Sequence, residues 1–240
     1  MSSTIVKKTR AAKAPRAPKA PRAEAAPAGA PETGRRLARE DREALIVQKA
    51  IKYFATHGFS ASTRELAKEI GVSQPLLYRY FPNKEALADR VFHEVYLSRW
   101  NHEWEDILKD RTRPLSERLQ EFYRQYGRVI LKSDWIRIFI FAGLTREGIN
   151  TRYLARLRER IFDVILGELR RQFKVPDPTP QQYEDEIEFI WGLHAAIFYV
   201  GVRKWIYGLQ VPKDLDRVIE QKVHAFLDSA PAVLKRIRKP

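Results

Sequence analysis

Apolar residues return at helical spacing along most of the chain. Leu45, Ala50, Ile51 and Phe54 form one stripe, and His57-Gly58 closes it with a stop signal. In "SASTRELAKEIGV" either Ser62 or Thr63 caps a second, short helix; Leu66, Ala67 and Ile70 face inward, and Gly71 ends it. Ser73 caps a third helix with Pro75 in its first turn, where an amide hydrogen would have no intrahelical acceptor. Pro82 breaks that helix, and Asn83 caps a fourth that runs from Lys84 through Leu87, Val91 and Val95 to Leu97-Ser98. Beyond Pro114 the same period predicts helices over roughly 115–132, 134–144, 147–173, 180–207 and 214–229, with Pro176, Pro178, Pro180 and Pro212 as the clearest breaks. No stretch sustains an alternation of period two, so the predicted fold is all-α.

Residues 63–80 then read as two short helices joined by Gly-Val-Ser. Ala67 is small where they would cross, Gly71 permits a positive backbone dihedral at the turn, and Leu66, Ile70, Val72 and Leu77 supply a shared core. This is the spacing of a helix-turn-helix, whose second helix enters the DNA major groove. A purely structural helical hairpin would show the same pattern. The polar residues shift the balance. With Leu77 and Phe81 buried, Gln74, Pro75, Tyr78 and part of Tyr80 face outward. The Gln74 amide donates and accepts, which suits an adenine edge, and Pro75 or Leu76 suits a thymine methyl. Ser73 and the hydroxyls of Tyr78 and Tyr80 suit phosphate oxygens. Arg64 and Lys84 flank the groove, and no carboxylate occurs between Gly71 and Lys84.

Charge agrees with that picture. The 240 residues include 44 Lys and Arg against 30 Asp and Glu, a formal net charge of +14, which favours a polyanionic partner. Half of that excess lies in residues 1–38, an alanine- and proline-rich segment whose four lysines and five arginines face only Glu24 and Glu32. Such a segment buries too little to offset its ordering entropy and is expected to be a disordered basic tail, either scanning phosphates or keeping the protein in solution. Residues 39–84 are expected to form the DNA-binding domain and 85–240 a larger helical domain. Cysteine is absent, which excludes disulfides and thiolate metal sites and permits a reducing cytosol. The longest nearly apolar run, Phe189–Val202, is shorter than the ~20 residues that span a bilayer, so no membrane partner is expected.

The stretch "AIKYFATHGFSASTRELAKEIGVSQPLLYRYFPNKEAL" resembles the N-terminal domain of TetR-family transcriptional regulators. The likeness covers about residues 40–90 and is carried by the first helix ending in His-Gly-Phe, the Thr-Arg-Glu-Leu-Ala second helix and the Tyr-x-Tyr-Phe-x-x-Lys-x-x-Leu series. It implies a homodimer that binds palindromic double-stranded DNA, with C-terminal helices that pair and house a pocket for a small-molecule effector whose identity the sequence leaves open. Release of DNA on effector binding, and hence a repressor, is the expected mode. By position, the resemblance makes Thr63 and Arg64 the start of the supporting helix and DNA contacts. It sets Ser73, Gln74, Pro75, Leu76 and Tyr78 on the reading face, with Tyr80 and Lys84 on the DNA backbone. The long basic tail departs from the family, and the resemblance says little about residues 100–240.

In that C-terminal half the helix over 180–207 is apolar on more than one face. Together with the 214–229 helix it is expected to pair with a second copy through Trp191, Ala195, Val202, Leu215, Val223 and Phe226; an intramolecular core is the alternative. Tyr123, Tyr126, Trp135, Phe139, Phe198 and His194 are candidates to line the effector cavity, although such residues are more often plain core. Catalytic motifs are missing: there is no HExxH, GxSxG, Walker loop or Rossmann glycine pattern, and His93-Glu94 and His102-Glu103 lack a second histidine at metal spacing. The chain is therefore expected to be no enzyme, to need no cofactor or metal, and to act at the nucleoid in the cytoplasm. A nonspecific nucleoid-type DNA coater is the main competing expectation.

Overall fold

Capping and turn chemistry explain where the helices begin and end. A computed structural model describes residues 32–60, 62–145 and 148–239. Among these the chain forms α1 (Glu32–His57), α2 (Thr63–Ile70), α3 (Gln74–Tyr80), α4 (Lys84–Phe92), α5 (Glu103–Lys109), α6 (Leu115–Ile130), α7 (Ser133–Thr145), α8 (Ile149–Leu157), α9 (Asp163–Phe173), α10 (Pro180–Trp205) and α11 (Leu215–Ile237). No strand occurs among the described residues, as the missing period-two alternation predicts. π-Helical turns at His93–Leu97 and Arg158–Phe162 extend α4 and join α8 to α9. The expectation of a disordered tail falls mostly on residues 1–31, which lie outside the described residues; the helical backbone starts at Glu32.

Three helical expectations change. Leu45 is 56% exposed, and the inward stripe of α1 is instead Ile46, Val47, Ala50, Ile51 and Phe54. Helix α5 was not expected: its two turns carry only Trp104 and Leu108 as buried anchors, too few to display a period. Helix α11 does not stop at 229 but runs through Pro231 to Ile237. Pro231 is exposed and forfeits one backbone bond, while Ala230 and Leu234 stay buried on the inner face.

Residues 39–240 make one compact unit, and α4 is shared between its two ends. Leu87, Val91 and Phe92 are buried, Arg90 pairs with Glu43 of α1 at 3.6 Å, and Asp89 pairs with Arg152 of α8 at 2.7 Å. Arg137 of α7 ties the halves further: its guanidinium donates to the carbonyl of Ala55, near the end of α1, and to that of Trp205, at the end of α10, the latter at 3.2 Å. Both acceptors are end-of-helix carbonyls, which a cation satisfies. Helices α10 and α7 approach closely at Gly201, where a Cβ would sit 2.7 Å from Ile136 Cδ1.

Two buried carboxylates join helices through arginines. Glu168 of α9 accepts from Arg118 of α6 at 2.8 Å and from two nitrogens of Arg111 at 2.8 and 3.1 Å. Glu186 of α10 accepts from Arg170 at 2.8 Å and lies 2.6 Å from Arg238, a charge contact without hydrogen-bond alignment, since Arg238 donates instead to Gln182 and to the Pro176 carbonyl. No helix among the described residues is long and apolar enough to cross a membrane.

Candidate nucleic-acid interface

The interface is built on α2, its turn and α3. Ser62, rather than Thr63, caps α2. Its hydroxyl accepts from the Glu65 amide, while Glu65 accepts from the Ser62 amide, a closed capping box. These hydrogen bonds, the backbone one first, hold the Glu65 carboxyl below its ordinary range. The acid closest to the reading face is thereby tied to its own helix start. Gly71 follows with φ +80°, and its amide and that of Val72 close onto the carbonyls of Ala67 and Lys68. The space around Gly71 is open, with Lys49 Nζ the nearest atom to a built Cβ at 3.5 Å. Gly71→Ala should therefore cost only the left-handed strain, about 1–2 kcal/mol, and Gly71→Asn less. Urea denaturation measures both, and an alanine variant as stable as wild type would remove the strain argument.

Lys49 Nζ donates to the Ile70 carbonyl at 2.6 Å and Lys84 Nζ to that of Phe59, so two lysines fasten α1, α2 and α4 around this turn. Lys84, expected on the DNA backbone, spends at least one of its donors inside the protein. Ser73 caps α3 through the Leu76 amide at 3.3 Å, and Asn83 caps α4 through that of Ala86 at 2.7 Å. Only Leu77 of α3 is buried, with Phe81 just beyond it.

The outward residues form one polar group. Thr63 Oγ1 and the Tyr78 hydroxyl lie 2.9 Å apart, and the Gln74 amide nitrogen donates to Thr63 Oγ1 at 3.3 Å and to the Tyr78 oxygen at 3.5 Å. Bonding to Thr63 first, and to Gln74 second, pulls the Tyr78 phenol below its ordinary pKa and makes it a stronger donor. The carbonyl of Gln74 has no partner among the described residues and faces outward. Arg64, Ser73 and Pro75 are exposed, Tyr78 is 40% exposed, and Gln74, Leu76 and Tyr80 are half-buried. The Arg39 guanidinium lies over the Tyr80 ring at 5.9 Å. Arg79 went unrecognised in the sequence. It is exposed, makes no bond among the described residues, and stands one helical turn beyond Pro75; that i, i+4 spacing was the signal available.

The structure separates the remaining candidates. Tyr123, Tyr126, Trp135, Phe139 and His194 are buried and Phe198 half-buried, all in one ring cluster between α6, α7 and α10. Of the residues expected to face a second copy, Val202, Val223 and Phe226 are spent on the protomer's own core, Trp191 and Leu215 are half-buried, and only Ala195 is exposed. The surface left open runs instead along Gly192, Ala195 and Tyr199 of α10 and Gln221, His224 and Asp228 of α11. Apolar side chains at those three positions fill the seam between α10, α11 and α6, so apolarity alone misplaced them. No group of three or more His, Asp or Glu able to hold a metal ion occurs among the described residues.

Residues 46–91 match the family described as bacterial regulatory proteins, tetR family. Over 101 residues the chain is 33% identical to the HTH-type transcriptional regulator EthR of Mycolicibacterium smegmatis, covering 39% of this chain and 46% of that protein. Over 58 residues it is 47% identical to the HTH-type transcriptional regulator YuxN of Bacillus subtilis, covering 24% of this chain and 20% of that protein. The chain thus spans less than half the length of these relatives. The likeness in fold reaches further: a TetR family transcriptional regulator from Pseudomonas syringae superposes with a TM-score of 0.53 at 21% identity, over 78% of this chain and 95% of that one. With its matched segment lying on α1 to α4 and its remaining helices arranged as in these structures, the chain belongs to the TetR family of bacterial regulatory proteins.

Proposed function

We propose that the protein is a homodimeric, ligand-responsive repressor that lays α3 of each protomer in the major groove of a palindromic operator. The acid-free outer face of α3 carries this reading. There, Gln74 is oriented by Thr63 and Tyr78 with its carbonyl free, and Arg64 and Arg79 stand beside it. Neutral donors and acceptors at the centre discriminate bases, and cations at the margin neutralise phosphates. The exposed α10–α11 surface supports pairing of two copies, because Gly192 and Ala195 allow helices to approach closely. Such a protein acts on DNA in the cytoplasm and performs no catalysis.

Selection of bound fragments from random duplex, followed by competition, tests the reading. The free protein should prefer its selected site over scrambled duplex by ~10³-fold or more at moderate salt, and the site should be a palindrome with half-sites about one helical turn apart. Equal binding to every duplex, with a steep salt dependence, would instead make this a nonspecific DNA coater driven by its charge.

A further inference from the structure

The C-terminal core holds polar atoms that its own packing leaves unpaired. Tyr123 Oη, Trp135 Nε1 and His194 Nδ1 are sealed from solvent and make no hydrogen bond. Interiors rarely tolerate this, because each such group forfeits the bonds it made to water in the unfolded chain. The same core pairs other hydroxyls without difficulty: Tyr153 donates to Tyr126 at 3.2 Å, and Tyr96 donates to the Trp135 carbonyl at 3.1 Å.

The three unpaired groups belong to one aromatic cluster. Trp135 stacks on Phe139 at 4.8 Å, and both meet Phe198 edge-on at 6.1 and 5.7 Å. His194 lies parallel to Phe198 at 6.1 Å, and Tyr126 links His194 to Tyr123 at 5.8 and 6.4 Å. Phe198 is the member closest to solvent. No charge acts on the polar members. Burial alone raises the Tyr123 phenol and lowers the His194 imidazole to about 4, which leaves that ring neutral at physiological pH. The indole of Trp135 can only donate, whereas Tyr123 and His194 donate or accept.

We propose that this cluster is the effector site and that its ligand is an uncharged, ring-bearing molecule with an oxygen acceptor, such as an aryl ketone, whose oxygen pairs with the groups now left unbonded. The proposal rests on the ligand-responsive reading above. Ring faces and edges supply the apolar contact. A carboxylate or ammonium would be buried there with no counter-charge, which is far more costly than burying a neutral carbonyl that gains a donor.

Three probes of matched size decide it: 2-acetylnaphthalene, 2-ethylnaphthalene and 2-naphthoate, titrated into the full chain by calorimetry and scored by melting temperature. The ketone should raise the melting temperature and bind about tenfold more tightly than the hydrocarbon, the worth of one hydrogen bond, and the carboxylate should give no shift. Tyr123→Phe and His194→Phe each delete an unpaired group, so the free variants should be at least as stable as wild type while the ketone's advantage shrinks in one or both. Binding of the carboxylate as tightly as the ketone, an undiminished ketone advantage in both variants, or no binding of any probe would overturn the proposal. None of these readouts uses DNA, so loss of the effector assignment and loss of the operator reading are seen separately.

Discussion

Glu168→Ala is expected to destabilise the protein by about 3–5 kcal/mol, the cost of leaving a buried charge without its partner. That is a large part of the roughly 5–15 kcal/mol by which a folded chain is usually stable. The stranded charge is Arg118. Its side chain is only 7% exposed and otherwise finds just the carbonyls of Leu108 and Arg113. Glu186→Ala should cost less, although Glu186 is more deeply buried. Its partners Arg170 and Arg238 keep 18% and 15% exposure and can turn towards water. The pH dependence has a definite sign. Burial raises the Glu168 carboxyl, but hydrogen bonds from Arg111 and Arg118, with their charges, outweigh it and hold the group below its ordinary value. Its contribution is therefore full above the unfolded glutamate pKa of about 4.3 and is lost as pH falls below that through the folded value. Urea midpoints at neutral pH and in acid measure both effects. A Glu168→Ala midpoint indistinguishable from wild type at neutral pH would mean that Arg118 finds another outlet.

Gln74→Glu is expected to abolish selective operator binding. The substitution keeps the shape of the side chain and introduces a carboxylate where α3 has none. Like charge set against phosphate costs several kcal/mol, about a hundredfold or more in Kd. The carboxylate also removes the amide that donates to Thr63 and Tyr78, leaving those hydroxyls without their third member. Gln74→Ala should be milder, about 1–3 kcal/mol, and should relax preference at a single base position. Folding should be untouched in both, because the residue is half-buried and its bonds join only surface hydroxyls. Gel-shift titration against the selected site and a scrambled one, at two salt concentrations, resolves the pair. If the glutamate variant binds the site as wild type does, α3 does not face DNA through Gln74.

The N-terminal third was legible because its signals are local. Ser62, Ser73 and Asn83 cap the helices they precede, Gly71 takes the left-handed turn, and Leu66, Ile70 and Leu77 are buried together. Caps, turns and short apolar stripes depend on residues a few positions apart. Arg79 was missed by its helical register alone. The C-terminal half hid more. Val202, Val223 and Phe226 look like exposed interface residues only while the position of α6 is unknown, and α5 is too short to announce itself.

By itself the sequence determined an all-helical chain, a helix-turn-helix over residues 63–80 and an outer face without acids, because helical period, capping and glycine placement act within a turn or two. Only the tertiary structure decided which apolar residues of α10 and α11 remain open to a second copy, that Glu168 and Glu186 each gather two arginines, and that Tyr123, Trp135 and His194 are left without partners. Those outcomes depend on which helices become neighbours, and packing between distant segments is set by the whole set of contacts at once rather than by any local pattern.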